Sequence, residues 1–456
     1  MSNTLTDMAA RLVELAGKNG AAHADALAVN DTGDAVAVRG GKVESVERED
    51  ARGVGLRAFV DTADGPAFAS ASTSDVSDEG LTRLAGQVVT MARISAADPD
   101  AVPPVGADHP DLDQLRQWKA DNDCPDCGWT LQEAIDAAID CEAAARGYSD
   151  KISNSEGAEA GFGTTHVAYA ASDGFAADYV RSSAGLSVSV IAGENDAMQR
   201  DYAWHRMRLA EQLRTPEDLG HEAARRAVAR LHGSSMKSGR MPIIFEPRIA
   251  ASLLGHLTGA INGRAVLQQR SFLADSDGEQ LFPEFITITD DPDHPAGMGN
   301  RLFDGEGTRC EKRNIIDQGR LTGFLADRYA AKRLGIAPTG HARRGLTGDT
   351  GIGTSNLILH PGTQTPAEIM REIGHGLLVT ELIGFGVNGV TGDYSRGAAG
   401  FLIENGEITR PVQEITIAGN LKDMFAGISH LGSDFTWFGA SAVPTVAIDG
   451  MTIAGQ

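Results

Sequence analysis

The sequence predicts an α+β fold in two large halves, each of mainly antiparallel sheet with packed helices, the second half richer in short strands. Three observations carry this expectation. Strand-like and helical stretches come in separate runs instead of alternating as strand–helix–strand units. Glycine pairs and an Asn-Gly dipeptide punctuate the strand-like runs at hairpin spacing. The 456 residues, 42% hydrophobic and 22% charged, form a globular composition long enough for more than one core.

Residues 6–18 place Leu12, Val13 and Leu15 among polar neighbours, which predicts an amphipathic helix. Residues 35–38 and 43–47, parted by Gly40-Gly41, and residues 54–60, running toward Gly65, read as antiparallel hairpins. Asp75 or Ser77 caps a helix through about Ile94. The segment 98–128, with Pro99, Pro103, Pro104 and Pro110, reads as an irregular connector. Thr130 caps a helix to about Arg146, and residues 161–170 and 175–191 are expected to form a second antiparallel set. A helix over 215–231, with Pro216 at its first position, ends at His232-Gly233-Ser234-Ser235. The boundary is placed there, giving an N-terminal α+β domain over 1–235 and a C-terminal α+β domain over 236–456. The second domain opens with a strand over 241–245 and a helix from near Pro247. In Glu404-Asn405-Gly406-Glu407, Asn-Gly supplies the two positive φ angles of a type I′ turn between 401–403 and 408–409. No short-period repeat is present.

Charge narrows the function classes. With 62 acidic against 40 basic residues the net charge is −22, so the surface repels phosphate backbones, and no basic stripe with interleaved aromatics offsets it. Nucleic acid is therefore not an expected ligand. No apolar run approaches the roughly 18 residues of a membrane span, and the start at Met1–Asp7 has neither a basic nor an apolar leader region, so a soluble, cytoplasmic protein is expected. Four cysteines are too few for a disulfide framework; Cys124-Pro125-Asp126-Cys127 has the spacing of half a zinc site, but with only Cys141 nearby it reads as free thiols in a surface loop.

Four constellations invite chemistry. His221-Glu222 opens like a zinc-peptidase helix, but Arg225 stands at the next ligand position and His232 lies about 16 Å along a helix, so a solvated helix face is expected. Glu372 and His375 sit at i, i+3 where Gly374 and Gly376 break a helix; they would need carboxylates from other helices to hold a metal. His294, His341 and His360 read as loop histidines at the surface. Ser252-Leu253-Leu254-Gly255-His256 is an amphipathic helix segment carrying one histidine. The cluster Val390-Thr391-Gly392-Asp393-Tyr394-Ser395-Arg396-Gly397 lacks the glycine pattern of a nucleophile elbow around Ser395. It reads either as a turn closed by its own side chains or as a platform for a bound peptide.

Ordered matches along almost the whole chain then resemble one family. They are Gly53-Val54-Gly55-Leu56-Arg57, Asn154-Ser155-Glu156-Gly157, Phe245-Glu246-Pro247-Arg248, Ala251-Ser252-Leu253-Leu254-Gly255-His256, Asp290-Asp291-Pro292, Phe303-Asp304-Gly305-Glu306-Gly307, the cluster at 390–398, Ile417-Ala418-Gly419-Asn420-Leu421 and Met451-Thr452-Ile453-Ala454-Gly455. The chain resembles the TldD/PmbA metallopeptidases, in their PmbA (TldE) branch. The resemblance implies a cytosolic protease assembled as a TldD–TldE heterodimer, with zinc held in the TldD subunit by a helix motif HExxxH and a C-terminal cysteine. Laid on this chain, that motif puts Ala251 at the first histidine, Ser252 at the glutamate and His256 at the second histidine, and Gly432-Ser433-Asp434-Phe435 has no cysteine. No catalytic residue is intact and no metal or cofactor is expected in this chain; zinc is expected in a TldD-type partner.

The leading expectation is a subunit, non-catalytic itself, that completes a chamber for unfolded peptides, forming a heterodimer with the partner and a homodimer in isolation. Thr391, Gly392, Asp393, Ser395 and Arg396 are the substrate-binding candidates, as a sheet edge for an extended peptide with Arg396 facing a carboxylate; the competing view has Asp393 and Arg396 only bracing a turn. One alternative is a self-sufficient metallopeptidase whose site draws on His256, Glu372, His375 or Asp434. Another, from the family's label as a DNA gyrase modulator, is a regulatory binding protein, which the −22 charge disfavours if it acted on DNA itself.

Overall fold

The computed structural model describes residues 4–106, 108–347 and 350–455; Met1, Ser2 and Asn3 of the predicted non-leader start lie outside them. Helix α1 (Leu5–Lys18) begins at a Thr4–Asp7 capping box and buries Leu5, Met8, Leu12 and Leu15 along one face. It leads into a long hairpin, β1 (His23–Arg39) and β2 (Lys42–Thr62), paired from His23 opposite Phe59 to Arg39 opposite Lys42 with one register shift between Ala37 and Val38. Residues 43–47 and 54–60 are thus one strand. After β3 (Gly65–Thr73), α2 (Asp78–Ile94) starts where the Ser77 hydroxyl accepts from the Gly80 amide.

The expected connector contains a helix, α3 (Leu112–Asn122), opened by an Asp111–Gln114 capping box. Only Leu115 and Trp118 mark its apolar side, and both are buried. Helix α4 (Leu131–Gly147) is capped by Thr130. Strands β4 (Ile152–Ala171), β5 (Ala176–Ala192) and β6 (Gln199–Met207) and helix α5 (Pro216–Ala229) complete this half. The strands do not form a second set. Because β4 pairs with β1 from Asp25 opposite Ala171 to Val38 opposite Ala158, all six make one antiparallel sheet in the order β3-β2-β1-β4-β5-β6. Even-numbered β1 residues face the helices, Ala24, Ala26 and Ala28 toward α1 and α2, Val36 and Val38 toward α4 and α5. Odd-numbered Leu27 faces the second half, packing with Tyr169, Tyr179 and Phe303.

The second half opens with β7 (Gly239–Phe245), α6 (Pro247–Ala260) and α7 (Gly263–Leu267). Short elements follow: β8 (Ile288–Asp290), β9 (Arg313–Asp317), β10 (Arg320–Leu321), α8 (Arg328–Leu334), β11 (Ala342–Arg343), β12 (Gly351–Ile352), β13 (Leu357–Leu359) and α9 (Pro366–Ile373). Then come β14 (His375–Ile383), β15 (Asp393–Glu404), β16 (Glu407–Asn420), α10 (Leu421–Ala426), β17 (Ile428–Leu431), β18 (Thr436–Phe438), β19 (Ser441–Val443) and β20 (Val446–Ala454). Asn405 and Gly406, at φ 55° and 80°, make the predicted tight turn between β15 and β16. The main sheet runs β16-β15-β14-β7-β20-β17 and curls until β16 also pairs with β20, Thr416–Ala418 against Thr452–Ala454. Its two central strands, β7 and β14, are parallel. Ile243 and Phe245 of β7 point to the core shared with Leu253 and Leu257 of α6, while Ile244 points to Ile369 of α9. A smaller sheet, β10-β9-β8-β13-β19-β18, lies beside it.

A buried ionic lock joins the halves. Arg57 of β2 pairs with Asp25 of β1 (2.6 Å) and with Glu306 (2.9 Å), and Arg344 reaches the same Asp25 (2.6 Å). The Tyr169 hydroxyl donates to Asp25 Oδ2 and to the Glu306 carbonyl at 3.1 and 3.0 Å. Burial pushes the Asp25 carboxyl up, but Arg344 and Arg57 outweigh it and hold it below the ordinary carboxylate range.

Candidate functional site

Helix α6 is set in place by the two charged residues around its first proline. Glu246 is the residue preceding Pro247, and its partner Arg248 donates to it (3.0 Å), to Asp201 of β6 (2.8 Å) and to the Thr380 carbonyl of β14 (2.8 Å). The guanidinium also stacks over the Tyr202 ring at 4.6 Å, so one arginine ties the start of α6 to both halves. Burial raises the Glu246 carboxyl above its ordinary range, against the pull of Arg226 and Arg248.

Along α6, Ala251 is half-buried and packs on the core, and the Ser252 hydroxyl donates to the Ile249 carbonyl (2.7 Å). His256 meets the ring of Tyr394 edge-on at 5.9 Å. Tyr394 and Arg396 are alternate residues of β15 and so share its inner face. Burial, then the charge of Arg396, lowers the His256 pKa, and burial pushes the Tyr394 phenol up to about 12 despite Arg396 beside it. Three buried polar atoms here have no hydrogen-bond partner among the described residues: His256 Nε2, Tyr394 Oη and Arg396 Nε.

The segment expected to be a turn is different in kind. Asp393–Arg396 is the first part of β15, paired with β16 through Tyr394 opposite Gly419 and Ser395 opposite Ala418. On its other side Ser395 N donates to the Gly386 carbonyl (2.7 Å) and Asn388 N to the Asp393 carbonyl (2.8 Å). Both hydrogen-bonding sides of the segment are therefore occupied within the chain, and the segment itself offers no free edge. The turn lies just before it, where the Thr391 hydroxyl donates to Asp393 (2.6 Å), Gly392 N to the Asn388 carbonyl (2.8 Å) and Asn420 Nδ2 to the Thr391 carbonyl (2.9 Å). Asp393 braces this turn. Arg396 points the other way, toward His256 and Tyr394, while Ser395 is exposed.

The other candidates stand apart. Glu372 accepts from Gln364 (2.7 Å) and pairs with His430 (3.3 Å), His375 is exposed at the start of β14, and Asp434 accepts from the Thr445 amide (3.0 Å) and hydroxyl (2.6 Å). Glu222 is taken up by Arg214 and Arg226, and His221 lies 5.5 Å from the Tyr148 ring. His232 lies beyond the end of α5, at φ 62°. His360 is exposed and bonded to Thr289 (2.8 Å), and His294 is half-buried against Trp437. His341, expected at the surface, is buried: its Nε2 meets Asp290 at 3.0 Å, an acceptor supplied by a strand 51 residues earlier. Of the supposed loop thiols, Cys127 is buried, and Cys124 is half-buried with its sulfur 2.8 Å from the Ser182 hydroxyl. All four cysteines are free.

No group of three or more His, Cys, Asp or Glu side chains among the described residues is arranged to hold a metal ion. Around His256 the neighbours are a phenol that keeps its proton and a guanidinium, so the residues present do not fit zinc.

On the sheet face turned away from the helices, an open trough of about 670 Å³ has Gly33, Gly161 and Gly163 in its floor, Glu47 and Glu49 on one wall and Trp204 on the other. Trp204 touches Phe438 of β18, which packs on the core that α6 shares.

Comparison with known proteins places these features. Three family models match in order: PmbA/TldA metallopeptidase domain 1 over residues 24–92, the central domain over 125–231 and the C-terminal domain over 238–455. The chain belongs to the PmbA/TldD metallopeptidase family. It is 38% identical to the metalloprotease PmbA of Escherichia coli O157:H7 over 93% of this chain and 90% of that one. It is 33% identical to the PmbA homolog of Haemophilus influenzae, over 97% and 94%. Among solved structures, a putative modulator of DNA gyrase from Bacteroides thetaiotaomicron superposes with a TM-score of 0.88 at 26% identity, covering 100% of both chains. TldE from Thermococcus kodakarensis, at 20% identity, shares the fold with a TM-score of 0.84 over 98% of this chain and 100% of that one. The motifs through which the sequence resembles the family include Arg57 and Glu306 of the inter-half lock and Glu246 and Arg248 of the α6 anchor. Sequence reasoning missed Tyr394 as a site residue, although the alternation of exposed Asp393 and Ser395 with Tyr394 and Arg396 was there to find it.

Proposed function

We propose that this chain is the TldE-type subunit of a cytoplasmic TldD–TldE zinc metalloprotease acting on unstructured peptides, with the zinc and the hydrolytic step in the TldD-type partner. One observation carries the reading: on α6 a metalloprotease needs two imidazoles and a carboxylate, whereas this chain has Ala251, Ser252 and a His256 that faces Tyr394 and Arg396. A scaffold that keeps the family fold while lacking the ligand set suits a subunit that completes a chamber. The exposed residues at the start of β15 and in the turn before it, Thr391 and Ser395, with Gly392, Asp393 and Arg396, border that chamber in this reading, and the trough beside Trp204 gives an extended chain room to lie. Alone the chain forms a homodimer; with the partner, a heterodimer. No helix among the described residues is long and apolar enough to cross a membrane.

Reconstitution tests the proposal. Mixed with a TldD-type chain, this protein is expected to form a one-to-one complex that cleaves unfolded peptides faster than the TldD-type chain alone; absence of both a complex and any gain in rate would reject the subunit role.

A further inference from the structure

We propose that the open cavity between the start of β9, the turn at Asp277 and the loop after α8 binds a free α-amino acid with an apolar side chain, its carboxylate on Arg313 and its ammonium on Asp277. The inference goes beyond the subunit reading and does not depend on it.

The cavity, of about 570 Å³, is of a size that holds a small ligand. Most charged side chains in its lining are already paired: Arg309 with Glu311 (3.2 Å) and Lys312 with Asp291 (2.8 Å). Two are not. Arg313, the first residue of β9, is half-buried, and its guanidinium makes no hydrogen bond or ion pair among the described residues. Its cross-strand neighbour Asp290 is engaged by the Ser355 amide and hydroxyl (2.8 and 2.9 Å) and by His341 (3.0 Å), so it acts on Arg313 only from a distance. The Asp277 carboxylate, likewise without a partner among the described residues, is exposed in a turn closed by the Glu279 amide on the Ser276 carbonyl (3.1 Å).

Gly323 brings the two charges together. A Cβ built there would lie 3.7 Å from Arg313 Nη2 and 3.9 Å from Asp277 Oδ1, so both groups border one small space that the missing side chain leaves open. The segment is held in place, because the Thr322 amide donates to the Ile315 carbonyl (3.1 Å) and its hydroxyl to the Asn314 carbonyl (2.6 Å). A positive and a negative group converging on one point match a ligand whose carboxylate and ammonium sit on one carbon. The guanidinium takes the carboxylate through paired N–H donors, and Asp277 accepts from the ammonium. A simple anion would be repelled by Asp277 and a metal cation by Arg313. The rest of the lining selects the side chain: Phe324, Ile336, Ala337 and Pro338 are apolar, and Ile336 is 39% exposed where a ligand would cover it.

Isothermal titration calorimetry of the isolated chain with L-leucine tests the site. Saturable one-to-one binding is expected, weakened at least about tenfold by Arg313→Gln and by Asp277→Asn, and unchanged by Lys42→Gln on the β1–β2 hairpin. Altered probes put the same question to the unaltered protein: N-acetyl-L-leucine lacks the ammonium and L-leucinamide the carboxylate, so each is expected to bind at least about tenfold more weakly, and glycine more weakly than leucine. Leucyl-leucine separates the two charges by a peptide unit; binding as tight as that of leucine would show that they are not read on one carbon and would overturn the assignment. Absence of saturable heat with leucine, or an unchanged affinity in either Arg313→Gln or Asp277→Asn, overturns it as well.

Discussion

Replacing Arg57 by Met removes the guanidinium at the centre of the inter-half lock while keeping most of its apolar stem. The side chain is 10% exposed and its partners Asp25 and Glu306 are 0% and 3% exposed, so neither carboxylate can recover solvation when the charge goes. Asp25 keeps Arg344 at 2.6 Å and the Tyr169 hydroxyl at 3.1 Å, which leaves Glu306 as the main orphan. Breaking a buried pair from one side costs about 3–5 kcal/mol, and the retained partners of Asp25 put the expectation at about 3 kcal/mol. At about 2.1 cal/mol/K of unfolding entropy per residue, a 456-residue chain melting as one unit converts that to a melting temperature lower by about 3 °C. Adding Glu306→Gln removes the orphan charge and keeps an oxygen for the Arg328 amide, which now donates to Glu306 at 2.8 Å. The double variant is therefore expected to regain part of the loss, by about 1–2 kcal/mol, in calorimetry and in denaturant titration. A change below 1 °C in Arg57→Met, or a double variant less stable than Arg57→Met alone, would show that the lock is not a stabilising device.

Two further predictions concern local structure. Gly406→Ala places a Cβ 2.7 Å from Arg371 Cα at a φ of 80°, so a loss of at least about 1–2 kcal/mol is expected in denaturant titration, and an unchanged midpoint would contradict the turn geometry. Asp178 accepts from His166 and pairs with Lys119, both at 2.8 Å, which holds its carboxyl at about 2 instead of 3.8. A depressed folded-state pKa contributes stability that is present above pH 3.8 and is lost as pH falls through about 2. Asp178→Asn should therefore show a shallower fall in stability over that window than the wild type, and equal slopes would refute the assignment.

Elements whose signals are local were legible in the sequence. Thr130, Ser77 and Thr215-Pro216 start helices where their side chains meet the first free amides, and Asn405-Gly406 makes its turn through two backbone angles that few other residues adopt. What was not legible depends on partners distant in the chain. The pairing of β1 with β4 unites strands separated by more than a hundred residues, and neither carries a mark naming the other. Helix α3 was missed because only two of its large apolar side chains, Leu115 and Trp118, are buried, a weak stripe over eleven residues. His341 looked like a surface residue until Asp290 was brought to it, and Tyr394 looked like part of a polar turn until α6 packed over it. The family motifs were visible as patterns, but their role as lock and anchor emerged only when Asp25 met Arg344 and Arg248 met Asp201.

Zinc content measured on the isolated chain, equilibrated with the metal and then passed through a desalting column, tests the central claim most directly. Zinc well below one ion per chain, together with no cleavage of unstructured peptides, is the predicted result, because Ala251 and Ser252 stand where a ligand and a base are needed. One zinc per chain, lost on His256→Ala and accompanied by chelator-sensitive peptidase activity in the same preparation, would contradict it.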